Sequence, residues 1–496
     1  MKSYKKLEKK IEEVSRINNI VNALYWDMST NTPLLSIQNK KEEISYLKQL
    51  SYQKLISEDV GDLIQQATEK KSVLNNWQLA NLKEIQRKYD LSVCIGTENQ
   101  KEYIKNTIEC EAVWYGAKEN NDFAKIFPYL KNVIISTRNV SQQKKIYYPN
   151  KTIYEILIDQ YDSGRNISFL KEVYSKIKNQ LPGLIQEIQE KQNSENLIPI
   201  PISLSIDQQF LLNKKIAKLM GFDFKKGSID NANHYFCGGS PGDVRLLVKK
   251  NSNFLDNMMK VIHEVGHGLY EQNLPNNYKN QPVGKAAGMA AHESQSLIME
   301  IHIARSREFM AFLSKILRDE YNLKGNEYSE ENLYRHVTRV APNSIRLESD
   351  ELTYLLHIIL RCEIEEELIE QVIDLKDLPE VWNSKMQQYL GITPQPLKKG
   401  CMQDIHWFKG YFGYFPTYCM GAILSSTMIN KIIQKDHMSF EDIKKGDFSS
   451  INQWLNTNIR NFGALRKIEE LVKNAGGGKI SADVYLDDIK KRYLKK

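Results

Sequence analysis

The sequence predicts a mainly α-helical protein with one small β-sheet, on three observations. Proline (14) and glycine (25) are sparse in 496 residues, below the roughly 5 % and 7 % of an average chain. Few punctuating residues favour long helices over many short strands. Apolar residues recur at steps of three and four over most of the chain, the period of a helix with one buried face. Only between residues 225 and 250 does the pattern turn short and extended. Hydrophobic residues at 41 % and charged residues at 26 % exclude collagen-like, low-complexity and wholly disordered readings.

Taken in order, residues 4–24 carry Leu7, Ile11, Val14, Ile17, Ile20, Val21 and Leu24 at helical spacing. Similar patterns fill 36–70, 74–92, 98–115 and 167–192. Pro199 and Pro201 then break the run, and helical periodicity weakens after them. Residues 226–230 and 244–249 flank a glycine-rich turn at 238–242 and predict two or three strands. Helices resume over 252–272, 286–318, 350–373 and 420–434. The glycines at 476–478 predict a loop between two terminal helices. No Lys-Ser/Thr follows them at the spacing of a phosphate-binding loop.

Charge and cysteine usage narrow the class. The net charge is +7, with lysines interleaved among glutamates rather than gathered on one face, so nucleic acid is not an expected partner. The basic residues at 490–492 and 495–496 read as a solvated tail. Six scattered cysteines without a CxxC pair suit a reduced compartment. The first ten residues lack the apolar core of a secretory signal, and no apolar run approaches a membrane span. A soluble, cytoplasmic protein is expected.

All nine histidines lie between 234 and 437, so imidazole chemistry belongs to the second half. His263-Glu264-Val265-Gly266-His267 is an HExxH motif within a predicted helix. Four residues turn a helix by about 400° with a rise of about 6 Å, so both imidazoles project from one face and can grip one cation. Glu264 is placed to take a proton from a water beside that cation. Leu255, Met258, Met259, Ile262, Val265 and Leu269 supply a buried side that would make the site rigid, and Gly266 allows close packing. A hydrolytic zinc site has three protein ligands. Glu293, in His292-Glu293-Ser294-Gln295-Ser296, suits the third place on a neighbouring antiparallel helix. His292 is the alternative, or a group that steadies a ligand through a hydrogen bond. Glu271 and Glu300 are competing carboxylates.

Two further clusters stand out. Arg346 precedes Ser349 or Asp350, either of which would cap the helix that follows. By itself Arg346 reads as a surface salt bridge, although a peptidase that needs a free substrate C-terminus requires a buried cation. The segment from Gly400 to Trp407, with Tyr411, Tyr414 and Tyr418 beyond it, is dense in aromatics. Such segments are usually core, yet His and Tyr near a metal can donate hydrogen bonds to an oxyanion.

The order HExxH, HESQS, IRxxxDExTYxLHI, GxxQDIHW and GYFPTY resembles the Taq-type metallocarboxypeptidases. His234-Tyr235-Phe236 and Asp243-Val244-Arg245 are similar to that family's HPF and DxRxT motifs, and Tyr25-Trp26-Asp27 to a segment near its start. The resemblance implies a helical, saddle-like zinc peptidase fold with a deep groove and a small sheet beside the active site. It also implies a homodimer, and removal of single C-terminal residues from peptides with broad preference. Zinc would be the cofactor, with cobalt able to substitute. By motif, His263, His267 and Glu293 would be the ligands and Glu264 the general base. Arg346 would bind the substrate carboxylate, and Arg245 and His234 would line the substrate end of the groove. His406 and Tyr414 are chosen for oxyanion support, with Tyr418 and Tyr411 as rivals; Tyr418 is also counted among substrate-binding residues. Tyr235, Leu247 and Ser349 depart from the family's Pro, Thr and Ala, two of them in the presumed substrate end.

The chain is expected to form one helical catalytic domain: 1–200 a helical wall or lid, 201–440 the core with the zinc motifs, 441–496 terminal helices. The nearest alternatives are a related helical zinc endopeptidase or oligopeptidase, and an inactive peptide-binding scaffold. An aminopeptidase would need acidic residues for a free amine, and no GxMEN-like motif is present.

Overall fold

The first helix, Lys2–Thr30, buries Tyr4, Leu7, Ile11, Val14, Val21 and Trp26, the face its spacing dictates. In the computed structural model, residues 2–232, 235–249, 253–434 and 439–495 are described, without the side chains of Leu34 and Gln434. The run 36–70 divides into Ile37–Leu55 and Glu58–Glu69, because Ser57 takes extended backbone between them. Asn76–Val93 follows, opened by a capping box in which Asn75 and Gln78 satisfy each other's backbone amides. These helices close over a small core of their own, built from Tyr4, Leu7, Ile11, Val60, Ile64, Leu82 and Ile85.

A second, larger core runs from Cys110 to Tyr493. Its helices include Thr97–Glu119 and Ile167–Asn193, both anticipated. Two more were not: Phe123–Lys144, which carries Pro128 inside it, and Ile206–Leu219. The first is rich in β-branched residues, whose helix propensity is low, but burial of Ile126, Leu130, Val133 and Val140 overrides that preference. The second starts from a Ser205–Gln208 capping box just past the prolines and buries Leu212 and Ile216. Helical structure therefore resumes sooner after Pro201 than expected.

The sheet has three strands, β1 (Gly227–Ala232), β2 (Phe236–Ser240) and β3 (Asp243–Lys249), in the order β1-β3-β2. β3 is central, parallel to β1 and antiparallel to β2. Gly238 and Gly239, expected in the turn, pair with Arg245 and Val244 inside β2, so the turn shrinks to Pro241-Gly242. Gly239 has φ +100°, and a Cβ there would lie 2.1 Å from the Asp243 carbonyl oxygen. No other residue fits that close approach.

β3 buries Val244, Leu246, Leu247 and Val248 and leads to the helix of the HExxH motif, Phe254–Gln272, which Asn253 caps. The expected continuous helix 286–318 is instead three pieces. Met289–Leu297 is α-helical, Ile298–Ala304 is π-helical, and Arg307–Tyr321 restarts from a Ser306 cap. Glu351–Ile369 is capped by Asp350, whose carboxylate accepts from the amides of Leu352 and Thr353; Ser349 is not the cap. Pro416–Gln434 contains the expected 420–434, and the glycine loop joins Ile468–Asn474 to Ala482–Ile489. The fold is mainly helical with a small sheet, as expected. No described helix is long and apolar enough to cross a membrane. A groove with a cavity of about 3000 Å³ is lined by Tyr25 and Trp26 from the first helix and by His263 and Glu264 from the motif helix.

Candidate metal centre

The two motif histidines sit one helical turn apart with ring centroids 4.8 Å from each other. Their Nε2 atoms point toward Glu293 Oε2, at 3.9 Å from His263 and 3.5 Å from His267. One ligand atom from each of the three residues lies within 4.8 Å of the others. Two glycines press Glu293 into this position. A Cβ on Gly266 would lie 2.5 Å from Ser296 Cα, and a Cβ on Gly421 would lie 2.5 Å from Glu293 Cγ. The motif helix and Pro416–Gln434 thus approach the Glu293 helix closer than any side chain allows.

The Nδ1 atoms are held from behind. His263 Nδ1 donates to Glu300 Oε2 at 2.9 Å, and the other oxygen of Glu300 accepts from Arg305. His292 Nε2 donates to Glu271 Oε1 at 2.9 Å, leaving its Nδ1 an acceptor for His267 Nδ1 at 2.7 Å. His267 Nδ1 also reaches the His292 carbonyl at 3.1 Å. Both ligand candidates therefore aim Nε2 at Glu293, and once His263 gives up its second proton both Nε2 atoms offer lone pairs there. Glu300, Glu271 and His292, weighed as ligands in the sequence, orient the imidazoles instead. Glu300 reaches this place from the π-helical segment, a kind of insertion common at functional sites.

Electrostatics agree with a cation-binding role. Burial pushes the His263 imidazole down, but the Glu293 and Glu300 carboxylates outweigh it and hold it at about 9. Burial and the neighbouring His292 bring His267 down to about 4. Burial resists ionisation of Glu300, yet Arg305 and His263 hold it at about 2. Glu264 is buried and raised to about 7, chiefly by desolvation. Glu293 Oε1 is buried without a hydrogen bond. Two fixed imidazole nitrogens and a carboxylate with an unsatisfied oxygen fit a divalent cation of the zinc type.

Arg346 is 4 % exposed, so the surface salt bridge suggested by sequence is corrected. Its Nε and Nη2 donate to Asp404 Oδ1 at 3.0 and 2.8 Å, and its Nη1 to the Tyr354 hydroxyl at 2.9 Å. Arg361, fully buried, donates to the other oxygen of Asp404 at 2.7 Å. Two guanidiniums share one carboxylate, which leaves a net positive charge facing the groove. Asp404, Arg361 and Tyr354 were not singled out from sequence. Asp404 and Tyr354 stood only as members of the motifs QDIH and DExTYxLHI, and Arg361 lies three residues past the second.

His406 Nε2 lies 3.1 Å from the Tyr418 hydroxyl, and its Nδ1 is buried without a partner. Burial, aided by Arg346, brings this imidazole down to about 3, so it is neutral. Tyr414 packs 5.3 Å from Tyr418 and 5.6 Å from His406, ring to ring. Burial and the charge of Glu293 push its phenol up. The structure thus gathers Glu264, Arg346, His406, Tyr414 and Tyr418 with the three ligand candidates along one groove.

Arg245 stands apart. Its guanidinium pairs with Asp243 at 2.7 Å and lies 5.6 Å from the Trp26 ring, and Val244 and Leu247 rather than Arg245 line the groove. His234 lies outside the described residues. The three departures find ordinary roles: Tyr235 donates to Asn257 Oδ1, Leu247 is buried in β3, and Ser349 Oγ donates to the Ile345 carbonyl.

An HExxH helix with an acidic third group, set in a groove that a buried arginine also lines, defines the class as a metal-dependent peptidase. The chain belongs to the Carboxypeptidase Taq (M32) metallopeptidase family, whose family model matches residues 6–493. It is a carboxypeptidase of that family, with peptides as its substrates. Carboxypeptidase 1 of Bacillus subtilis is 28 % identical over 487 residues, covering 97 % of this chain and 96 % of its own. Thermostable carboxypeptidase 1 of Pyrococcus furiosus is 28 % identical over 496 residues, covering 99 % and 98 %. The solved structure of Trypanosoma cruzi metallocarboxypeptidase 1 superposes with a TM-score of 0.95 at 33 % identity over the full length of both chains.

Proposed function

We propose that the protein is a zinc-dependent exopeptidase that removes single C-terminal residues from peptides with broad preference. His263, His267 and Glu293 hold the ion, and cobalt substitutes. The observation that carries this reading is the buried Arg346, set in the same groove as the His-His-Glu cluster.

When bound, the ion lowers the pKa of water and polarises the substrate carbonyl. Every other step belongs to side chains. Arg346 has five N–H donors, of which three serve Asp404 and Tyr354; the rest take the substrate's terminal carboxylate. That contact sets the register at the last peptide bond. Glu264, poised at about 7, takes the proton of the attacking water and passes it to the leaving amine. Tyr414 keeps its phenolic proton, so it donates to the oxyanion, and His406 steadies Tyr418 beside it.

Tyr418 belongs with Arg346 at the substrate end, since the guanidinium lies 5.3 Å from its ring. Arg245 acts on substrate through the placing of Trp26. We take the chain as one catalytic domain whose helices 1–200 form the groove wall. The six free cysteines support a reduced, cytoplasmic setting, and the family resemblance supports a homodimer.

The test is a mass-spectrometric time course on an N-terminally acetylated peptide with zinc or cobalt. Wild type shortens it one residue at a time from the C-terminus, whereas Glu264→Gln or chelation stops the ladder and metal restores it to wild type alone. Internal cuts, or a ladder that survives Glu264→Gln, would overturn the reading.

A further inference from the structure

Ring contacts trace one wall of the groove away from Arg346. The guanidinium lies 5.3 Å from the Tyr418 ring, Tyr418 lies 5.3 Å from Tyr414, and Tyr414 lies 6.4 Å from Tyr411. Tyr411 borders a side cavity of about 310 Å³ that shares Tyr25, Glu111 and Lys409 with the main groove. Lys48 lines this side cavity and Lys41 the groove beside it. Lys48 Nζ donates to the Tyr25 hydroxyl at 2.8 Å and stands 5.1 Å from its ring centre. Lys409 Nζ lies 5.6 Å from the same ring and 3.0 Å from Glu111 Oε1.

Three ammonium groups here face one carboxylate. Among the described residues neither Lys41 nor Lys48 has an acidic partner at ion-pairing distance, and Glu111 is taken by Lys409. Burial pushes the Lys48 ammonium below its ordinary range, the mark of a desolvated cation without its counter-charge. Its hydrogen bond goes to a neutral phenol rather than to a carboxylate. The ring contacts lead from Arg346 past Tyr414 to this cluster, and the trimming reading sends the upstream peptide the same way.

We propose that Lys41, Lys48 and Lys409, with Tyr25 and Tyr411, form a subsite for an acidic side chain of the peptide on the N-terminal side of the scissile bond. The subsite rests on the C-terminal trimming proposed above, which sets the direction of the bound peptide. The phenols give the aliphatic part of a glutamate a surface to lie on, and the ammonium groups take its carboxylate. Arg346 and this cluster then read two carboxylates at a set separation.

The experiment uses acetylated polyalanine peptides with Glu or Gln placed at successive upstream positions. Two quantities are read: kcat/KM with the metal-loaded enzyme, and Kd by calorimetry with metal-loaded Glu264→Gln. At one upstream position Glu exceeds Gln by about tenfold in both, the size of one partly desolvated charge contact. That ratio falls toward one in Lys48→Met and in Lys41→Met, and in salt of about 0.5 M. Lys41, half-buried at the groove edge, keeps the test decisive should Lys48→Met fold poorly. A ratio near one at every position in wild type, or a ratio unmoved in both variants, overturns the subsite. Should the peptides bind without being shortened, the trimming reading fails, and the affinity ratio still decides the subsite.

Discussion

Gly421 governs the metal site without touching metal or substrate. Any Cβ there would press on Glu293, whose helix is backed on another side by Gly266. Gly421→Ala is therefore expected to weaken metal binding by about 10–100-fold, the range for disturbed supporting contacts, with helical content unchanged. Metal titration followed by circular dichroism checks both halves, and an unaltered affinity would show that Glu293 is free to relax. Asp404 is a second such residue. Removing its charge leaves Arg346 and Arg361 buried against each other, so Asp404→Asn is expected to cost about 3–5 kcal/mol of stability, measured by urea unfolding. At this scale the sequence was legible where chemistry is local. The four-residue spacing alone puts two imidazoles on one helical face. The burial of Arg346 was not legible, because its carboxylate partner lies 58 residues away and no local pattern encodes that meeting.

The helix Glu351–Ile369 carries a built-in acid sensitivity through His357. The ring donates from Nε2 to the Asn343 carbonyl at 2.9 Å and lies 3.3 Å from Arg361 Nη1 through Nδ1. Burial and the Arg361 charge lower its pKa from 6.5 to about 3. Between those values the unfolded chain binds a proton that the folded chain refuses, so stability falls as pH drops from 6.5 toward 3. By pH 4.5 this one group contributes a loss of roughly 2–3 kcal/mol. His357→Gln keeps the hydrogen-bonding pattern without the titration, and is expected to lose that much less between pH 7 and pH 4.5 in urea unfolding. Equal losses in the two proteins would assign the acid limb to other groups. The helices themselves were largely readable from period and caps. The π-helical segment that delivers Glu300 to His263 was not, because it answers to packing against the motif helix rather than to any spacing of its own. The three-strand order was also out of reach, since pairing β1 with β3 is a tertiary choice.

Over the whole molecule, the ligand candidates, Glu264, Arg346, His406, Tyr414 and Tyr418 line one groove. Charge, cysteine count and composition excluded classes but pointed to no activity; the ordered motifs did that. What they could not show is that Arg346 and the His-His-Glu cluster share one groove, or that Arg245 turns away to Asp243 and Trp26. In the function proposed above, the groove reads a free C-terminal carboxylate before it cleaves. The measurement that tests it most directly compares kcat/KM for one peptide as the free acid and as the C-terminal amide, in wild type and Arg346→Gln. Amidation and Arg346→Gln are each expected to cost roughly 10²–10³-fold, as for losing a buried charge-paired hydrogen bond, and the two losses are expected not to add. Equal rates for acid and amide in wild type would contradict it.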